Sequence, residues 1–261
     1  MNNVRLHRSM WNMRVAKSHF FVGMLLTVCA GFLVAYYAIS YWWFQAEIIG
    51  KLLSFAKVPY ELFLLAKPIS LIEGIPLYYY PAGPTFQIPV HYQSVSTLAA
   101  LIVCLLLFIT IILAFRVKFI PLPAKVLFII LSFLVGVSLL YVAFVSPIPP
   151  HPLYRVIIDW QFSGVIILIL ISSIFTLTVF PLPGPMWVKF FWLILTLVFS
   201  MIWNTVRISL VAATFYHLGS LPFLLMHYLM GVYVDFIYVV AFYSLAVSHL
   251  AKYQVREAEW E

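Results

Sequence analysis

The stretch FSMIWNTVRISLVAATF, residues 199–215, sets Asn204 and Arg207 inside an apolar run. Ser200, Asn204 and Arg207 are spaced four and three apart, so a helix places them on one face. Downstream, HYLMGVYVDF spaces His227, Gly231 and Asp235 four apart, which stacks them on one side of a second helix. Upstream, DWQFSG supplies Asp159, Gln161 and Ser163 at the start of a third apolar run. Ser163, His227 and Arg207 have the residue types of acyl transfer: a nucleophile, a base and a cationic oxyanion stabiliser. An arginine or an ionised aspartate facing lipid costs several kcal/mol, so these polar faces are expected to turn inward, with Asp235 as the partner of Arg207. Two plainer readings compete. One is a structural Arg207–Asp235 tie between helices with no chemistry. The other is Arg207 snorkelling to lipid headgroups, which Asn204 one turn below argues against.

Composition decides what must position these residues. Of 261 residues 65% are hydrophobic, 18% aromatic and only 9% charged, where ordinary soluble domains carry about 25% charged residues. The chain therefore reads as a single integral membrane domain, an all-α polytopic transmembrane bundle. The net charge of +7 lies in basic residues flanking apolar runs, a topology signal rather than a nucleic-acid surface. Cys29 and Cys104 both fall inside apolar runs without metal-ligand spacing. No metal and no cofactor is expected, and the first apolar run is too long for a cleavable signal peptide.

A span needs about 20 apolar residues. About six are expected, near 20–44, 95–115, 126–146, 163–182, 190–215 and 229–250. Ten basic residues then fall on one side: Arg5, Arg8, Arg14, Lys17, Arg116, Lys118, Lys125, Lys189, Lys252 and Arg256. The other side receives Lys51, Lys57, Lys67 and Arg155. The positive-inside rule puts both termini in the cytoplasm of a cell membrane, with residues 1–19 as the N-terminal tail and 251–261 as the C-terminal tail. Residues 45–94 become an outer interfacial segment that does not cross. Within it, AEIIGKLLSFAKVPYELFLLAK has helical apolar spacing, and GIPLYYYPAGPTFQIPV suggests a short hairpin turning at Pro81–Pro84. Arg207 lies 18 residues beyond Lys189, about 27 Å along a helix and close to the outer boundary of the hydrocarbon. Ser163, Arg207 and His227 are thereby expected at one outer level.

The order of these motifs resembles the exosortase/archaeosortase family of membrane-embedded transpeptidases. FSGVIILILISSIFTLTVFPLP is similar to the helix opened by the family's Cys-Ser/Thr-Gly motif. FFWLILTLVFSMIWNTVRISLV resembles its Asn-x-x-Arg-Ile helix, and HYLMG its histidine followed four residues later by glycine. The resemblance covers about 159–250. It implies a core whose arginine and histidine, here Arg207 and His227, assist acyl transfer from a C-terminal sorting signal. The position of the family's cysteine nucleophile falls on Phe162, which has none, and by the span assignment Cys29 and Cys104 lie too deep to replace it.

The expectation is a degenerate exosortase-like protein, a non-catalytic binding or assembly subunit whose partners are the bilayer and other membrane proteins. Its pocket would comprise Phe162, Asn204, Gly231 and Asp235. The alternative is an active acyl transferase with Ser163 as nucleophile, although Ser163 stands one residue, or about 100° of helix, from the family's nucleophile position. A haem- or ion-binding subunit is a second alternative, using the pairs His19 and His249 or His217 and His227. Asp235 would also serve as an ion site in a transporter, but no inverted repeat is visible.

Overall fold

Runs of Leu, Ile, Val and Phe without internal proline become helices, and prolines gather where those helices end. A computed structural model describes residues 17–64, 70–72, 75–78, 83–90, 94–117, 122–145 and 153–258 of the chain. The helices are α1 (Lys17–Phe55), α2 (Thr97–Arg116), α3 (Leu122–Phe144), α4 (Leu153–Thr178), α5 (Met186–Leu218), α6 (Ser220–Met230) and α7 (Val232–Ala258). Four short strands lie between α1 and α2: β1 (Glu61–Leu64), β2 (Ser70–Ile72), β3 (Ile75–Tyr78) and β4 (Pro84–Gln87). Pro181, Pro183 and Pro185 fill the link between α4 and α5, where a missing N–H and fixed φ favour turn and helix start over helix interior.

The fold is mostly helical. Four helical stretches are long and apolar enough to cross a membrane: Thr97–Arg116, Leu153–Thr178, Met186–Leu218 and Val234–Tyr253. The count rises to five if Ser18–Leu33 and Tyr36–Phe55, bent by 63° within α1, form one broken span. The expected third span falls on α3, which holds a shorter apolar stretch, Phe128–Phe144.

Three expectations change in the segment after the first span. Helix α1 does not stop near residue 44 but continues to Phe55, so residues 45–55 belong to it. Glu61–Leu64, expected as helix, is a strand. The hairpin also pairs differently. β4 returns to β1 with Leu62 opposite Phe86, and β3 pairs with β2. Burial explains the outer pairing: Phe86 is fully buried and Thr85 nearly so, and the β1 ladder supplies the backbone partners that such a strand requires. Pro81 lies outside the described residues, as do residues 1–16.

The chain divides into two compact units, Met1–Trp42 with Gln161–Asn204 and Phe236–Glu261, and Trp43–Trp160 with Thr205–Asp235. The second has a continuous apolar core that includes Ile49, Leu53, Phe86, Ile157, Trp160, Ile208 and Phe215. In the same unit α2 is apolar all round and leaves only Ala100 buried.

The first unit is tied by polar contacts between helices. Thr176 Oγ1 of α4 donates to the Gly23 carbonyl of α1 at 2.8 Å. Trp192 Nε1 of α5 donates to His249 Nδ1 of α7 at 3.1 Å. Ser200 and Tyr238 hydroxyls bond at 2.8 Å. Lys189, expected only as a topology marker at the inner boundary, is fully buried. Its Nζ donates to the Phe180 carbonyl at 2.8 Å, to the Leu182 carbonyl, and to His19 Nδ1 at 2.9 Å. The lysine thus serves the carbonyls left over where α4 ends, and ties α1 to that turn.

Lys189→Met should strip a donor from the buried Phe180 and Leu182 carbonyls and cost about 1–3 kcal/mol. At about 2–4 °C per kcal/mol for a chain of this size, the unfolding midpoint in mild detergent should fall by several degrees. Lys252→Met, at an exposed position, should leave it in place. Equal midpoints for both variants would show that Lys189 holds nothing.

Candidate functional site

Within the second unit, three elements bring Arg207 to Asp235. Helix α5 carries the arginine on the face that also buries Ile208 and Val211. Helix α6 ends at Met230, and Gly231 adopts φ −73°, ψ −137°, outside the helical well. Helix α7 then starts at Val232 with Asp235 in its first turn. His227, Gly231 and Asp235 therefore do not lie along one helix, as their spacing suggests. The chain breaks at Gly231, and His227 belongs to the short helix before the break. Glycine is the weakest non-proline helix former, and it loses no side-chain packing when the helix stops.

The break explains the charges. A helix that ends leaves unpaired carbonyls and a partial negative charge, while a helix that begins leaves unpaired N–H groups and a partial positive charge. Arg207 Nη1 donates to the Met230 carbonyl at 3.3 Å and to Asp235 Oδ2. The cation so meets the closing end of α6, and the carboxylate meets the opening end of α7. Both are buried, Arg207 at 1% exposure and Asp235 at 8%. The inward guanidinium and its pairing with Asp235 follow the sequence-based expectation.

Trp160 completes the surroundings, and nothing in its spacing singled it out. The Arg207 guanidinium carbon lies 4.5 Å from the centroid of its ring, a cation–π contact. His227 stacks on the same tryptophan, with centroids 5.1 Å apart and planes 11° apart. It also stacks on Phe223 at 5.9 Å, which stacks on Phe215 at 4.3 Å. The His227 imidazole is thus one ring in an aromatic column. Sequence alone gave one usable signal for Trp160: it sits in the DWQFSG stretch that carries Ser163.

Phe162, Ser163 and Asn204 belong to the first unit. Phe162 and Ser163 are half-buried there, and Asn204 is buried. Asn204 packs on Gly164 so closely that a Cβ at 164 would stand 2.8 Å from Asn204 Cγ. Gly164 of FSG and Asn204 of NTVR are therefore in contact, which joins two of the stretches that carried the family resemblance.

The histidines proposed as pairs each have a different contact: His19 with Lys189, His249 with Trp192, His217 Nε2 donating to the Ala56 carbonyl at 2.8 Å, and His227 with Trp160. Among the described residues, no group of three or more His, Cys, Asp and Glu side chains is arranged to hold a metal ion.

Comparison with known protein families, curated proteins and solved structures found no match.

Arg207→Ala and Asp235→Ala should each cost about 3–5 kcal/mol, because the surviving charge is buried without its counter-charge. The double variant Arg207→Met with Asp235→Leu should unfold at a higher temperature than either single alanine variant, and Arg207→Lys should recover only part of the loss. A melting series in one detergent tests this, and unchanged midpoints for the single variants would refute the pair. Separately, Gly164→Ala should cost about 1–3 kcal/mol by overpacking. Asn204→Ala in the same chain should relieve the clash. Additive losses in the double variant would show that the two positions are not in contact.

Proposed function

We propose that the chain is a multi-pass membrane protein of exosortase-like design that serves as a non-catalytic binding or assembly subunit, with both termini in the cytoplasm of a cell membrane. One observation carries the reading. An oxyanion stabiliser needs donors aimed at open space where a substrate oxygen will arrive. The Arg207 guanidinium is instead buried, neutralised by Asp235, bonded to the Met230 carbonyl and set against the Trp160 ring. A phenylalanine at position 162, where the resembling family carries cysteine, agrees with the same reading. The four or five long apolar helices support the membrane setting.

Such a subunit works by offering surface to other membrane proteins, and its internal polar contacts serve to fix that surface. Native mass measurement after extraction in a mild detergent should find the chain in an assembly larger than one copy. A lone monomer under every gentle extraction condition would overturn the subunit reading. A fluorophosphonate probe should leave Ser163 unlabelled in the folded protein. Labelling that disappears in Ser163→Ala would instead establish the acyl-transferase alternative.

A further inference from the structure

A crevice opens in the first unit between α1, α4 and α5. Helices α1 and α4 run antiparallel there, since Gly23 faces Phe180, and Thr27 donates to the Ser172 carbonyl at 3.2 Å. The contact of Gly164 with Asn204 pins α4 to α5 further along. Between these two pins α1 bends by 63°, from Leu33 to Tyr36. The space left open is about 260 Å³. Ala30, Leu33 and Ala38 of α1 line it together with Leu168 of α4 and Leu197 of α5. Tyr41 and Met201 stand at the end nearer the second pin, and Tyr37 borders the opening.

Leu33 and Tyr37 of its lining are more than half exposed, so the crevice opens at the surface and takes its occupant from what surrounds it. Apolar walls exclude water as that occupant: a dry apolar cavity of about 150 Å³ takes benzene rather than solvent. The crevice is below the roughly 300–1,000 Å³ of pockets that hold drug-sized molecules, which excludes a bulky fused-ring ligand. Its shape is long. Along α1 its lining runs from Ala30 to Tyr41, at most about 16 Å of helix at 1.5 Å per residue, and the bend shortens the straight distance. One leaflet of a hydrocarbon core about 30 Å thick measures about 15 Å. The three helices that form the walls include two complete candidate spans and the broken one, so the opening faces hydrocarbon.

We propose that this crevice takes one acyl chain of a phospholipid, drawn from a single leaflet, with the glycerol end beside Tyr37. Tyr37, more than half exposed, suits that end, because tyrosine pairs an apolar ring with a hydroxyl at the headgroup boundary. The lipid acts as a filler between α1 and the α4–α5 pair. The proposal rests on the membrane reading above and is independent of the subunit reading.

The test uses the full chain in vesicles of phosphatidylcholine and phosphatidylglycerol, doped with a phosphatidylcholine carrying a mid-chain diazirine. After irradiation, peptide mass spectrometry should find label concentrated at Leu168, Leu197 and Met201, in excess of label on Leu105 and Phe108 of α2, which are exposed. Ala38→Phe should abolish the excess, and Ala30→Phe should do the same if the first variant does not fold. Gly31→Ala adds a Cβ that meets nothing within 4 Å, and it should leave the labelling intact. Label on the crevice no higher than on α2, or an excess that survives both fillings, would overturn the crevice while the membrane reading stands. Label on neither would overturn both. An excess displaced by unlabelled palmitate but not by unlabelled phospholipid would overturn the phospholipid as the source.

Discussion

A buried guanidinium must be surrounded by acceptors before the fold around it can close, and the second unit is organised by that demand. Arg207 finds a carboxylate on α7 and a carbonyl at the end of α6. Both acceptors exist at one place only because the chain breaks at Gly231. A continuous helix would have engaged the Met230 carbonyl internally and carried Asp235 out of the first turn. The break and the ion pair therefore require each other. Trp160 then covers the cation, and the stacking of His227, Phe223 and Phe215 extends from it into the apolar core.

The first unit meets a similar demand in another way. Lys189 is as deeply buried as Arg207, yet its acceptors are two carbonyls after α4 and an imidazole, without a carboxylate. Lysine suits that arrangement, since three donors on one nitrogen can point to three separate acceptors. Arginine suits the other, since its flat face can lie against a ring while its edge serves oxygen atoms. In both units a cation occupies the place where a helix ends and carbonyls are left over. The same electrostatic end-charge that favours basic residues at helix C-termini in water is used here away from solvent.

The sequence made the long helices legible because hydrophobic runs bounded by proline leave few alternatives. It made the Arg207–Asp235 pair legible because two opposite charges in apolar helices have few places to go. The break at Gly231 was hidden by its own spacing: residues four apart fit one continuous helix as well as two helices meeting at a glycine. Lys189 was hidden because a lysine at the end of an apolar run looks the same whether it reaches water or caps a neighbouring helix. The ladder of β1 with β4 was hidden for a different reason. Register between strands separated by other strands is set by burial of Phe86 and its neighbours, and no local pattern records which partner a short strand will choose. Trp160 was one aromatic among many, and only contact distances separate it from the others.

The contact between Gly164 and Asn204 has a consequence beyond stability. Two positions forty residues apart share a space that holds one side chain but not two. Each therefore limits the other over evolutionary time. A lineage that acquires a larger residue at 164 must shed volume at 204, in either order through an intermediate that is overpacked or hollow. Aligned relatives should show these two columns changing together, with the summed size nearly constant. The exposed residues of α2, such as Leu105 and Phe108, should drift freely among interchangeable hydrocarbon side chains.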